Sequence, residues 1–239
     1  MEIGEIITDS LKYPINNIKA LIIYIVLGIV AGLVLVLTGV GVGAGAIANS
    51  AAATGIVGII GIIIFFLIYL LILGYELDVI NFGIERRDDA PEIDFARQIT
   101  NGIKWYITCF IYMLIPTIIM IILSYLNQTL GLIVGIILFI IAAFALLMAQ
   151  CRLAHTDSLG EALNIPEAIK DITKVGIIKI IAVFLILVIL GLVVSFILGL
   201  FSVLGDVGTY IGAILSGIFT IYLAFVVFRA SGLLYSDAV

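Results

Sequence analysis

The chain has 239 residues, of which 64% are hydrophobic and 11% are charged. A soluble domain is nearer a quarter charged, because it must present a polar exterior to water, so this composition excludes an ordinary soluble fold and predicts a membrane protein. The net charge of −5 and the lack of a run rich in Lys or Arg argue against nucleic-acid binding.

Residues 2–19 predict an amphipathic helix that lies in the membrane interface. Apolar side chains recur there at intervals of three and four, while charged side chains such as Asp9 and Lys12 occupy the other face. Pro14 should bend or break this helix, because proline has no N–H to donate. The alternative is that these residues are the first turns of a longer span. The segment lacks the basic start of a signal peptide, so the first span is expected to remain in the mature protein.

Long stretches without Asp, Glu, Lys, Arg or His predict six membrane-spanning helices in an all-α, polytopic membrane protein. A span needs about 20 apolar residues, and the uncharged stretches divide into six such segments. The segments cover about residues 20–43, 54–77, 103–125, 130–151, 175–204 and 209–228, with Glu76, Lys104 and Lys179 near their ends. Short connections at 44–53, 127–129 and 205–208 join them into three hairpins.

The polar connections between the hairpins predict the orientation of the chain. Residues 74–104 form the longest hydrophilic run, with seven acids and four bases, and are expected to face water. Residues 152–174 form the second polar connection. All eleven Lys and Arg residues lie on the side that holds both termini and these connections. The positive-inside rule therefore predicts a cell-membrane protein whose N- and C-termini are cytoplasmic.

Residue pairs at a constant offset predict an internal repeat within a single membrane domain, residues 1–239. Pro91-Glu92 and Pro166-Glu167 each precede a span, and both are followed by Ile-Lys at the same distance. Proline and an acid suit the first turn of a helix, so each pair is expected to open a polar helix that leads into the next span. The predicted repeats are residues 1–83, 84–158 and 159–239.

Three segments carry a resemblance to a known family. SLKYPINNIK at residues 10–19, GYELDVI at 74–80 and APEIDFARQITNGIKW at 90–105 are similar to archaeal multi-pass membrane proteins, common in methanogens, that are grouped as a domain of unknown function. The resemblance covers nearly the whole chain and implies a membrane fold, but it brings no established substrate or catalytic residue. The Gly-Tyr of the family is usually followed by a basic side chain, whereas this chain has Glu76.

Glycines at helical spacing predict close packing between helices, within the protomer or between copies. The candidates are Gly28, Gly32, Gly39, Gly43, Gly131, Gly135, Gly208 and Gly212. Residues 39–44 also match G-x-G-x-x-A, but neither a preceding strand nor a later acid supports a dinucleotide site, so no cofactor is expected.

No group of residues predicts catalysis. His155 is the only histidine, and with Cys151 it supplies two metal ligands at most, so surface or interface packing is the simpler interpretation. Cys109 and Cys151 fall near predicted cytoplasmic helix ends, where thiols stay reduced. We therefore expect neither a disulfide nor a metal site, and we expect that the protein is not an enzyme.

Pathways for ions usually carry a charge at mid-membrane, and no predicted span has one. Uncharged polar side chains could line a path or could form hydrogen bonds between helices. These residues are Tyr24, Tyr69, Tyr112, Gln150, Ser195, Ser216 and Tyr222. Pro116, within the third span, is the candidate kink, and transporters do use broken helices.

These features favour a non-catalytic membrane scaffold that interacts with lipids and with copies of itself or a larger membrane complex. The alternative is a carrier or channel for a small neutral or amphiphilic solute. If a soluble partner binds, the expected cytoplasmic surface is formed by Asp88, Asp89, Glu92 and Asp94.

Overall fold

Helices account for all the secondary structure in the computed structural model, which describes residues 1–239 and contains no β-strand. In chain order they are α1 (Ile3–Asn16), α2 (Ile18–Ile47), α3 (Ala51–Ile84), α4 (Phe95–Leu126), α5 (Gln128–Thr156), α6 (Leu159–Ala162), α7 (Ile165–Val175), α8 (Ile177–Gly199) and α9 (Gly205–Tyr235). A 3-10 turn, Leu200–Leu204, joins α8 to α9. The all-α prediction is confirmed.

Five stretches are long and apolar enough to cross a membrane: Ile18–Ile47, Ala51–Ile84, Phe95–Leu126, Gln128–Thr156 and Ile177–Tyr235. The last of these reverses direction after α8. Gly205 has a φ of +77° there, a conformation that glycine adopts without strain. A Cβ on Gly212 would lie 3.0 Å from the backbone oxygen of Leu198, and one on Gly191 would lie 3.1 Å from Leu223, so α9 packs back along α8.

Polar side chains mark the other two helix reversals. The hydroxyl of Ser50 accepts a hydrogen bond from the N–H of Ala53 at 3.3 Å, and the side chain of Asn127 accepts one from the N–H of Leu130 at 3.0 Å. Each side chain caps the helix that follows it, which satisfies a donor that the helix leaves free. α2 pairs with α3, and α4 pairs with α5, through these short turns.

The expectation that residues 74–104 form a water-facing connection is wrong for the first third of that run. α3 continues to Ile84, and most of residues 74–84 are buried. The helix expected to open at Pro91-Glu92 is also wrong, because α4 begins at Phe95. Asp94 caps α4 by accepting a hydrogen bond from the N–H of Arg97 at 3.1 Å, and α4 then runs on without a break as far as Leu126.

The helix predicted at Pro166-Glu167 is present as α7, which has Pro166 in its first turn. α7 ends at Gly176, where φ is +94°, and α8 starts at the next residue. Likewise, α1 ends at Asn16 and α2 starts at Ile18. A short helix therefore precedes α2 and α8, whereas α4 is continuous. The three-hairpin repeat stays a prediction.

Buried residues collect at one end of the helices, which we call the basal layer. It comprises α1, α6, α7 and residues 70–84 of α3, 95–112 of α4, 145–156 of α5 and 225–235 of α9. Outside it the helices are mostly exposed: between Ala51 and Tyr69, Gly61 alone is buried. Since these exposed side chains are almost all apolar, the outer halves have the surface that a hydrocarbon environment requires.

Two helix crossings in the basal layer depend on glycine. A Cβ on Gly74 would lie 1.8 Å from the backbone oxygen of Gln98, and one on Gly102 would lie 2.0 Å from that of Leu70, so α3 and α4 touch backbone to backbone. At the crossing of α3 with α9, a Cβ on Gly232 would lie 2.2 Å from the backbone oxygen of Ile80. Close backbone approach of this kind is typical of helix packing in membranes.

Candidate functional site

Arg229, near the end of α9, is a fully buried cation in the basal layer, with 0% of its surface exposed. Its guanidinium uses all five N–H donors. Nε donates to Asp9 Oδ1 at 2.7 Å, while Nη2 donates to Asp9 Oδ2 at 3.4 Å and to Asp88 Oδ1 at 3.3 Å. Nη1 donates to the backbone oxygens of Phe82, at 3.1 Å, and Arg87. Arg229 therefore joins α9 to α1, to the end of α3 and to the α3–α4 connection.

Asp171, on α7, is a buried anion with 1% of its side chain exposed. Its carboxylate accepts hydrogen bonds from Arg152 Nη1 at 2.9 Å, from the Tyr235 hydroxyl at 3.0 Å and from Lys174 Nζ at 2.7 Å. Burial alone would raise the pKa of Asp171, but these hydrogen bonds to the charged form outweigh it, and the pKa lies below its usual value. This cluster joins α7 to α5 and α9.

Asp78 makes the equivalent connection between α3 and α4. Its Oδ2 accepts hydrogen bonds from Arg97 Nη2 at 3.0 Å and from Gln98 Nε2 at 3.1 Å. The side chain is 8% exposed. The burial of Asp78 was not visible in the sequence, because Asp78 lies in the charged run of residues 74–104 and that run was expected to face water.

The four acids predicted as a docking surface lie close together on the α3–α4 connection: Asp88, Asp89, Glu92 and Asp94. Three of them also have partners within the chain. Asp88 accepts from Arg229, and Asp94 caps α4. Asp89 accepts from Arg87 at 2.7 Å, and this hydrogen bond lowers the pKa of Asp89. Reversing these charges would therefore disturb the fold as well as the surface.

The eight glycines predicted to pack helices have two kinds of surroundings. A Cβ would meet another atom at 3.0 Å or less in one group: Gly28, Gly131, Gly135, Gly208 and Gly212. A Cβ on Gly32, Gly39 or Gly43 would meet no heavy atom within 4 Å. The second group, on α2, has no packing partner within the protomer.

Pro116 and the predicted polar side chains do not line a common path across the membrane. Pro116 is buried inside α4, which is helical on both sides of it. The hydroxyls of Tyr112 and Tyr222 donate to backbone oxygens of the basal layer at 2.9 and 2.6 Å. Ser195 is exposed on the outer half of α8. Of the predicted polar side chains, Tyr112 and Tyr222 thus link helices by hydrogen bonds.

His155 and Cys151, the two residues considered as metal ligands, are not joined by a third ligand. His155 is exposed and Cys151 is buried, and no group of three or more His, Cys, Asp or Glu side chains is arranged to hold a metal ion. Cys109 and Cys151 are both free thiols.

A cavity of about 190 Å³ lies between α2, α3 and α9, at the outer edge of the basal layer. We call it the Glu76 cavity. Aromatic rings of Tyr24, Tyr75, Phe225 and Phe228 line it together with Glu76. The rings of Tyr24 and Tyr75 stack with centroids 4.2 Å apart, and Phe225 lies edge-on to Tyr24 at 5.6 Å.

Three polar groups of the Glu76 cavity are without partners. Glu76 makes neither a hydrogen bond nor an ion pair. Tyr24 and Tyr75 are 3% and 1% exposed, and neither buried hydroxyl has a hydrogen-bond partner. Buried polar groups are paired in most proteins, so three unpaired groups at one cavity set it apart from the paired charges of the basal layer.

The Glu76 cavity adjoins a larger apolar cleft of about 590 Å³ between the outer halves of α2 and α9. Gly28, Thr220 and Ile221 border both spaces. Both spaces are lined mostly by apolar residues, and Glu76 contributes a carboxyl group at the basal end. Sequence reasoning missed these spaces because Glu76, the first charged residue after Lys19, was assigned to the water-facing connection.

Long apolar helices that expose apolar side chains, joined at one end by buried ion pairs, define the fold of a membrane-embedded helical protein. The chain belongs to DUF4013, a family described as a protein of unknown function, whose sequence model matches residues 57–203, more than half of the chain. The match begins within α3 and ends in the 3-10 turn after α8. No curated protein and no solved structure matches the chain. Membership of an uncharacterised family is thus confirmed, while an archaeal origin stays a prediction.

Proposed function

We propose that the protein is a six-span integral protein of the cell membrane, with the basal layer and both termini on the cytoplasmic side. α8 has 23 residues and α9 has 31, so each is long enough to span a membrane, which takes about 20 residues. All the Lys and Arg residues lie in the termini, in the connections at the basal end of the helices or in the helix ends next to them. The three outer turns carry a single charged residue, Asp206. This distribution is the one that the positive-inside rule associates with a cytoplasmic base.

Cysteine labelling in intact cells tests this topology. With Cys109 and Cys151 replaced by serine or alanine, a membrane-impermeant maleimide should label Asn49→Cys and Asp206→Cys from outside. The same maleimide should label Glu85→Cys only after the cells are permeabilised. Labelling of Asp206→Cys from the inside alone would refute the six-span arrangement.

Within the membrane, we propose that the protein is a non-catalytic scaffold that binds lipids and assembles with copies of itself or with a larger complex. The observation that carries this proposal is the network of ion pairs in the basal layer. Nine of the eleven Lys and Arg residues form ion pairs within the chain, and Arg229 is completely enclosed. Such a base holds the helices in fixed positions and leaves the outer halves to contact lipid or another subunit.

The unpacked glycines of α2 offer a direct test of self-association. A Cβ on Gly39 or Gly43 would meet no heavy atom within 4 Å, and both residues are exposed, so Gly39→Leu and Gly43→Leu should leave thermal stability unchanged. If copies pack through this face, these changes should shift a discrete oligomer in mild detergent towards monomer. Gly199→Leu is the matched control, since it is equally open but lies on α8. A wild-type protein that is strictly monomeric and has no co-purifying partner would contradict the scaffold.

A second candidate function is a carrier or channel for a small neutral or amphiphilic solute. The Glu76 cavity and its apolar cleft favour this alternative, because together they form a space between helices that is lined mostly by apolar residues and contains one carboxyl group. The scattered positions of Tyr112, Tyr222 and Ser195 argue against a polar path across the membrane. Reconstituted liposomes that take up no member of a broad solute panel would exclude the carrier and leave the scaffold standing.

A further inference from the structure

We propose that the Glu76 cavity binds the head of a cationic amphiphile, an alkylammonium, whose hydrocarbon tail lies in the cleft between α2 and α9. The inference goes beyond the scaffold and does not depend on self-association. It starts from Glu76, a carboxyl group at the edge of the basal layer with neither hydrogen bond nor ion pair. A carboxyl group in an apolar space is either protonated or paired with a positive charge, and the chain supplies no cation at this position. An ammonium ligand would therefore hold Glu76 in its charged form.

The rest of the cavity wall matches an ammonium head. Aromatic rings attract cations through their negative faces, and Tyr24, Tyr75, Phe225 and Phe228 border the cavity. The hydroxyl oxygens of Tyr24 and Tyr75 are also without partners, but protein atoms enclose them. The carboxyl group of Glu76 and the aromatic rings are therefore the groups that would recognise the ammonium head.

The size and neighbourhood of the cavity require the ligand to be an amphiphile. A volume of about 190 Å³ holds a head group, whereas pockets for whole drug-sized ligands usually measure about 300–1,000 Å³. The adjoining cleft of about 590 Å³ is lined by apolar residues such as Ile25, Ile214 and Ile218. A tail in that cleft would run towards the membrane interior, with the head beside the basal layer.

Equilibrium dialysis of the purified full-length protein in a neutral maltoside detergent tests the proposal, with dodecylammonium as the ligand. Wild type should bind one dodecylammonium per chain. Glu76→Gln keeps the shape of the side chain and removes its charge, so it should weaken binding by about tenfold or more. Glu85→Gln is the matched control, because Glu85 is an exposed acid one residue after the end of α3, and it should bind as wild type does.

Comparison ligands separate the contributions of charge and tail. Dodecanol has the tail without the charge, and methylammonium has the charge without the tail, so both should bind more weakly than dodecylammonium. Equal binding of dodecylammonium by wild type and Glu76→Gln, or equal binding of dodecanol and dodecylammonium, would overturn the proposal.

Mass spectrometry of lipids extracted from the purified protein identifies the source of the ligand. An amine-headed lipid that accompanies wild type and is lost from Glu76→Gln would show that the ligand comes from the membrane. A lipid-free wild type that still binds dodecylammonium would indicate a free amphiphile. In both cases the oligomeric state should be the same for wild type and Glu76→Gln, so a failed scaffold and a failed binding site give different results.

Discussion

Replacing Arg229 by methionine should destabilise the protein more than any other loss of a single ion pair. Methionine keeps much of the side-chain volume but removes five hydrogen bonds from a site with no solvent access. Asp9 then keeps its charge without a cation, although its side chain is 30% exposed and water offsets part of the loss. Removing one partner of a fully buried ion pair costs about 3–5 kcal/mol, which is the upper limit here. At about 2–4 °C for each kcal/mol, the apparent Tm should fall by up to about 20 °C.

Thermal denaturation in detergent or nanodiscs, at one scan rate for all variants, measures this effect. Arg86→Met is the matched control: Arg86 also pairs with an aspartate, Asp237, but its side chain is 53% exposed. Exposed pairs contribute about 1 kcal/mol or less, so this variant should melt near wild type.

A double variant separates the unpaired charge from the lost packing. If the charge of Asp9 dominates, Arg229→Met combined with Asp9→Asn should be less destabilised than the sum of the two single changes. Loss of no more stability in Arg229→Met than in Arg86→Met would refute the view that Arg229 holds the basal layer together.

Two further outcomes test the helix crossing and the charges of the basal layer. Gly74→Ala places a Cβ 1.8 Å from a backbone oxygen of α4 and should cost about 1–3 kcal/mol or more, whereas Gly32→Ala, which meets no neighbour, should cost nothing in the same thermal denaturation assay. Asp171 has a lower pKa in the folded state than in the unfolded state, where an aspartate has a pKa of about 3.9. Its charged form therefore stabilises the protein above about pH 3.9, and this stability is lost as the pH falls through the lower pKa of the folded state. Asp171→Asn should therefore be less stable at neutral pH and lose less stability on acidification than wild type; equal acid sensitivity of the two would contradict the assigned role.

The sequence predicted the apolar helices well because hydrophobic length is a strong signal in a membrane protein. The long uncharged runs around α2, α3, α4 and α5 left little choice of secondary structure. The reversal between α8 and α9 was also visible, since glycine and aspartate interrupt an otherwise apolar run at residues 205–208.

The basal layer was misjudged because charge was taken as a sign of contact with water. Asp78, Asp171 and Arg229 are charged yet buried, and each is stabilised by partners from other helices. Arg229 and Asp9 are separated by 220 positions in the chain, so no local pattern links them. The helix expected at Pro91 failed for a local reason: side-chain hydrogen bonds from Arg97 and Gln98, five and six residues further on, to the backbone oxygen of Glu92 hold that segment outside α4.

The contact between Asp9 and Arg229 also sets an order for biosynthesis. Asp9 is made 220 residues before Arg229, and at about 5–20 residues per second the ribosome needs about 10–45 s to cover that distance. During this interval α1 has no cation to bind, even though the earlier hairpins have already been synthesised. The basal layer can therefore close fully only on a nascent chain that has been translated as far as α9. In a prematurely terminated chain, α1 would keep only its earlier contacts, such as the hydrogen bond from the Tyr13 hydroxyl to the backbone oxygen of Asp89 at 3.1 Å.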